Sequence, residues 1–391
     1  MARPSNGSRW RNGSMADDTA PISGYIAPGF EPVREAFEAN FAGGEEHGAT
    51  FALRIGGETL VDLRGGWADR AKERVWAEDT VVPIYSASKG ISALVLAMAV
   101  EALPAGYETP VADVWPEFAA EGKGEVTIGQ MVSHQAGLPG FEKEIDPALW
   151  LDPPACAAAI AALAPMWPPG SAHGYHPLTW GYLVGEVVNR ITGRTVGAIL
   201  KEDICGPAGI DFQIGLPEKD EPRVGDMLRP KALAPLGEIT PPRRAAFVSK
   251  WSSPDRAGRP WREIEIPSAN GHGAALGVAS LYEAYARGGQ IAGGKTLLRS
   301  DTLDALIRPR VDGPDLVLPM HTKFGAGIMI NSHGKFGPNP ETLGHSGWGG
   351  SMAIADPARE LSAAYVMNRQ SASLVGDPRA VRLVEAAYGC L

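Results

Sequence analysis

Two strand pairs lie near opposite ends of this chain, and a fold that uses both must bring those ends into one sheet. In the first, ATFALRI sets Phe51, Leu53 and Ile55 in alternation, then Gly56-Gly57 leads into the strand-like ETLVDLR. A Gly-Gly link between two such runs predicts an antiparallel hairpin, because the tight turns that match strand twist need positive φ. The second pair is SMAIADP and LSAAYVMN, joined across Pro357 to Glu360. Helical patterning fills most of the space between. Val33, Phe37 and Phe41 recur at four-residue spacing behind Pro32 and before Gly43-Gly44, which predicts an amphipathic helix. A helix over Arg379 to Tyr388 closes the chain. The expected class is α/β (α+β): an antiparallel sheet flanked by helices, built from both chain ends and interrupted by a helical insertion. The expected division is a flexible extension over 1–22, a sheet domain over 23–104 and 236–391, and a mostly helical domain over 105–235.

Composition narrows the ligands. With 391 residues, 44% hydrophobic and 21% charged, the chain reads as globular, and its formal net charge of -9 argues against nucleic acid or an anionic membrane as partner. Small molecules are the expected ligands, and the oligomeric state is left open. Cys156, Cys205 and Cys390 have no close pairing of the kind that holds zinc, so neither a disulfide framework nor a metal is expected. The basic, polar start MARPSNGSRWRNGS lacks the apolar core of a secretory signal, so a cytoplasmic location is expected. The stretch 218–268, rich in proline and in charges of both signs, either borders a pocket or wraps the surface.

Chemistry enters with Ser86-Ala87-Ser88-Lys89 at the mouth of an apolar helix running to Leu103. Serine and lysine three residues apart share a helix face, so the amine can reach and activate the hydroxyl. Alone, this spacing arises by chance, and Ser86 could be a helix cap. Two later signals change its weight. Tyr175 stands in a turn-like segment, HGYHPL, just before a helix that stops at Gly193. Further on, His345-Ser346-Gly347-Trp348 leads through glycines into the strand at Met352, where glycine permits close approach of a substrate. His173 and His176 have the spacing of a metal pair but no glutamate between them and no third ligand, so metal binding is not expected. His134 is expected to make structural bonds in its turn.

Ser-x-x-Lys, a Tyr motif and a His-x-Gly box, in that order, resemble the serine β-lactamase and penicillin-binding-protein superfamily, and within it the class C-like esterases called family VIII carboxylesterases. The segments VTIGQMVSHQAGLPGF and IPSANGHGAALGVASLY add to the likeness. The resemblance implies a β-lactamase/transpeptidase-like fold and an acyl-enzyme on Ser86, with no cofactor. Lys89 and Tyr175 would share the proton handling. The backbone N–H groups of Ser86 and Trp348 would hold the oxyanion, and His345, Ser346, Gly347 and His176 would line the substrate site. A lysine ammonium and a neutral tyrosine are both poor bases, so one of the pair must be perturbed: the lysine by burial, or the tyrosine by the ammonium beside it. The sequence leaves that choice open. Where β-lactamases carry Lys-Thr-Gly, this chain has His345, which removes a fixed cation or makes it pH-dependent. That departure favours neutral, short-chain acyl esters over β-lactams. The alternatives are a β-lactamase or D-amino-acid peptidase using the same nucleophile, or a non-catalytic binding module on this fold.

Overall fold

The computed structural model describes residues 20–252 and 258–391. The extension expected over 1–22 lies mostly outside them, but its last residue, Ile22, already opens a strand. Nine strands form one antiparallel sheet in the order Ile22–Ile26, Glu58–Gly66, Gly48–Ile55, Leu361–Met367, Met352–Asp356, Leu343–Ser346, Met329–Ile330, His321–Phe324 and Val311–Pro314. Both expected hairpins are present, and they meet at the centre, where Phe51 pairs with Tyr365 and Leu53 with Ala363. Three short strands over 311–330, which carry no long alternating run, complete one edge.

Alternation along the central strands sorts side chains between two cores. Phe51, Leu53, Ile354 and Tyr365 face one way, onto Val33 and Phe37 of the first helix, Glu31–Ala42, and Leu383 and Val384 of the last, Pro378–Gly389. The opposite face presents small residues, Ala52, Ala353 and Ala364, to the helix Ala275–Ala286. Small side chains let that helix lie close to the sheet, so both faces of the central strands are buried. Behind it lies the helix Ser88–Val100, in which every residue but Met98 is buried. Being apolar on all sides, it belongs inside the protein rather than on its surface.

Thr179–Thr192 packs against that helix and in turn against Pro153–Ala161 and several shorter helices. Gly193 ends it in the left-handed conformation, φ 72°, as its position after the apolar run suggests. One short strand in this helical region, Phe212–Ile214, pairs with Gly271–Gly273, which also pairs with Val82–Pro83. That three-stranded patch ties the helical region to the segment leading into Ser86. No helix among the described residues is long and apolar enough to cross a membrane.

Candidate active site

Ser86 sits in a turn held from two sides. The Ile84 N–H donates to the Gly271 carbonyl at 2.9 Å, and the Ile84 carbonyl accepts from the Ser351 hydroxyl at 2.7 Å. Tyr85, between Ile84 and Ser86, has φ +48°, a conformation that costs a bulky residue about 1–3 kcal/mol and persists only where its surroundings impose it. Residues Tyr85–Ala87 form a single tight 3-10 turn and the α-helix begins at Ser88, so Ser86 precedes the helix that carries Lys89.

Lys89 is fully buried and has no carboxylate partner among the described residues. Its Nζ lies 2.8 Å from the Pro177 carbonyl, 3.1 Å from the Ser268 carbonyl and 3.3 Å from Ser86 Oγ. Burial drives its pKa well below the ordinary lysine value. Carbonyls can only accept, so a neutral amine that gives its two N–H groups to Pro177 and Ser268 turns its lone pair toward the Ser86 hydroxyl. The ring of Tyr175 lies beneath, 4.7 Å from Nζ. Burial raises the Tyr175 pKa above its ordinary value; the nearby Ser86 opposes that rise, though not in hydrogen-bonding geometry. The environment therefore supplies the first of the two perturbations left open by the sequence: the lysine is pushed toward its neutral form and the tyrosine away from ionisation.

The box after Leu343 closes the other side. His345 Nδ1 lies 2.8 Å from the Ser346 carbonyl and donates to it. Burial, then Lys89, hold the His345 pKa at about 3, so this ring is neutral near pH 7 rather than pH-switched. A Cβ at Gly347 would fall 2.1 Å from the Ile84 carbonyl oxygen and from Ser351 Oγ. Glycine here serves contact with the turn that carries Ser86, not the expected approach of substrate. The Gly347 N–H is spent on the Ser351 carbonyl at 2.7 Å, whereas no described carbonyl takes the N–H of Ser86 or Trp348. Ser346 borders the cleft, and its Oγ accepts the Gly376 N–H at 3.1 Å.

His176 does not line the cleft. It is fully buried, its Nδ1 donates to the Gly174 carbonyl at 2.6 Å and its Nε2 accepts the Leu138 N–H at 2.9 Å. His134, at φ +68°, accepts the His176 N–H on Nδ1 at 3.2 Å. These two rings clasp the segment that presents Tyr175. His173 bonds Thr322 Oγ1 at 2.9 Å, and no metal-holding group of His, Cys, Asp or Glu exists among the described residues.

Two supports were not foreseen. Asp315, buried, accepts the N–H groups of Tyr175, Val317 and Leu318 on one oxygen, at 3.0, 2.8 and 2.8 Å, and the Thr322 hydroxyl on the other at 3.0 Å. Pro314-Asp315 reads as a turn in the sequence, but nothing there links it to Tyr175. Arg379 forks onto Asp377 at 2.9 and 3.0 Å, and a Cβ at Gly350 would strike that carboxylate, so the pair backs the loop after Trp348. The cleft in front of Ser86 encloses about 1160 Å³. Much of one wall comes from the stretch 218–268, which therefore borders a pocket, and Phe247 from it stands 6.1 Å from Trp348, ring to ring.

The Beta-lactamase family profile matches residues 33–386, and the chain belongs to that family. It is 32% identical over 367 residues to a Mycobacterium tuberculosis protein named Esterase/beta-lactamase LipL, covering 90% of this chain and 84% of that one. A penicillin-binding-protein homologue from Caulobacter crescentus superposes with a TM-score of 0.92 at 50% identity, covering 95% of this chain and all of the other. A structure described as a family VIII carboxylesterase gives 0.87 at 39% identity with the same coverage. The fold and family are those of serine hydrolases of the β-lactamase type.

Proposed function

We propose that the protein hydrolyses carboxylic esters through an acyl-serine intermediate, as a member of the family VIII carboxylesterase branch. The observation that carries this reading is a buried Lys89 amine 3.3 Å from Ser86 Oγ with carbonyls and no carboxylate as its other partners, together with a buried His345 where β-lactamases carry a lysine. Ser86 Oγ attacks the ester carbonyl carbon while its proton passes to Lys89 Nζ. The carbonyl oxygen, now an oxyanion, accepts from the Ser86 and Trp348 backbone N–H groups. As the C–O bond breaks, the alkoxide takes a proton from Tyr175 Oη, which is restored from the Lys89 ammonium. Water then attacks the acyl carbon, gives its proton to the same pair, and Ser86 leaves with a proton as the acid is released. A β-lactam keeps a carboxylate close to its scissile bond. With His345 neutral, the box after Leu343 offers that carboxylate no cation, which supports esters over β-lactams.

Ser86→Ala is expected to abolish turnover of p-nitrophenyl butyrate, and a fluorophosphonate probe is expected to label wild type but not the variant. Unchanged turnover in Ser86→Ala would overturn the acyl-serine reading. Nitrocefin turning over faster than the butyrate ester would overturn the ester assignment.

A further inference from the structure

The cleft is larger than a short-chain ester needs: about 1160 Å³, beyond the roughly 300–1,000 Å³ that houses drug-sized ligands. Its walls also differ in character. Trp348, Phe247, Leu318 and Val375 supply apolar surface near the box, whereas Arg70 and Arg229 stand where 68–70 meets 225–230. These two segments are joined, since the Arg70 N–H donates to Asp226 at 3.0 Å and the Asp226 N–H to the Ala68 carbonyl at 2.7 Å.

The charges around them are unequally satisfied. Arg262, also on the cleft, is committed to Glu221 at 2.5 Å, and Arg259 holds the same carboxylate at 2.8 Å. Asp226 is the remaining acid on this wall and already accepts the Arg70 backbone. The Arg70 and Arg229 guanidiniums have no hydrogen bond or ion pair with any described residue, in a chain whose net charge is -9. Arginine presents a planar fork suited to a carboxylate.

We propose that the cleft selects an extended ester that is uncharged at its scissile carbonyl and bears a remote carboxylate, which Arg70 and Arg229 bind. The inference rests on the ester-hydrolase reading and names its substrate class. Neutrality at His345 and positive charge where 68–70 meets 225–230 act together: one offers no cation to an anion next to the reacting carbon, the other attracts an anion further along the substrate.

Two matched ester pairs test this. One places the charge on the acyl arm, mono-p-nitrophenyl glutarate against p-nitrophenyl methyl glutarate. The other places it on the alcohol arm, 4-(butyryloxy)benzoate against its methyl ester. For at least one pair, the kcat/KM ratio of anionic over neutral ester is expected to exceed one in wild type. It should fall about tenfold in Arg70→Gln/Arg229→Gln and further in Arg229→Glu, and shrink in 0.5 M salt. A wild-type ratio below one for both pairs, or ratios that are the same in wild type and both variants, would overturn the proposal. Either result with Ser86-dependent butyrate hydrolysis intact leaves the ester reading standing, while loss of that dependence is the separate failure of the function itself.

Discussion

Asp315 offers a sharp test of how this site is held, because it touches no reacting atom yet anchors the backbone of Tyr175. In Asp315→Ala three buried N–H groups lose their acceptor, those of Tyr175, Val317 and Leu318, and the Thr322 hydroxyl loses a fourth bond. A buried donor left unpaired costs about 1–3 kcal/mol, and with the loop free to relax the low end applies, so roughly 3 kcal/mol of stability should go. Tyr175 would shift with its backbone, and a displacement near 1 Å is worth about 10²-fold in rate. Asp315→Asn keeps the oxygen that accepts all three N–H bonds. Burial also pushes the Asp315 pKa up against those bonds, so losing the charge costs little. Steady-state hydrolysis of p-nitrophenyl butyrate with thermal denaturation should therefore show kcat down about 10²-fold with KM little changed in Asp315→Ala, and near wild type in Asp315→Asn. If the alanine variant is destabilised but keeps its kcat, Asp315 is only structural and Tyr175 needs no such placement.

Four further outcomes are expected. As pH falls through the depressed Lys89 pKa, the amine gains a proton and its lone pair is lost, so kcat/KM should show an acid limb. His345→Gln should leave the position of that limb unmoved, since His345 stays neutral down to about pH 3; a shifted limb would mean that His345 titrates in the working range. Gly347→Ala should lower kcat/KM by about 10²-fold and cost about 1–3 kcal/mol, because its Cβ meets the Ile84 backbone; wild-type kinetics and melting would contradict that contact. Glu46, buried under Arg379 and Tyr365, has its pKa raised to about 7, chiefly by burial. The fold therefore favours its protonated form, and stability is lost as pH rises from the unfolded carboxylate range through about 7, by up to about 3 kcal/mol. Glu46→Gln should flatten that fall in pH-dependent melting, and parallel wild-type and variant curves from pH 5 to 9 would refute it.

What the sequence disclosed and what it hid divide by range of interaction. The hairpin at Gly56-Gly57, the pair across Pro357 to Glu360 and the stop at Gly193 rest on local rules of turn and periodicity, and each stands where expected. Ser86 and Lys89 meet because three residues of helical spacing decide it. Tyr175 was legible only as part of an ordered set of motifs, since the packing that brings it under Lys89 runs through His134 and Asp315, at remote positions in the chain. His176 looked like a cleft residue by adjacency, but burial and two backbone partners make it a clasp. The wall over 218–268 was ambiguous because its apolar members are scattered among prolines and charges, and only the tertiary arrangement collects Phe247 beside Trp348.

The pairing of Gly48–Ile55 with Leu361–Met367 at the middle of the sheet has a consequence for how the molecule comes to exist. The Gly48 N–H closes on Asn368 across a separation of 320 residues, so the central register is set by one of the most distant encounters the chain can make. Closing so long a loop is entropically costly and slow compared with forming a helix or a local hairpin. During synthesis the Ser86 turn leaves the ribosome with its helix long before Trp348 and the strands that follow are made. The proposed nucleophile is thus translated early and remains without the loop proposed to hold the oxyanion until nearly the whole polypeptide is available, which separates the appearance of the Ser86 turn from the appearance of a complete site.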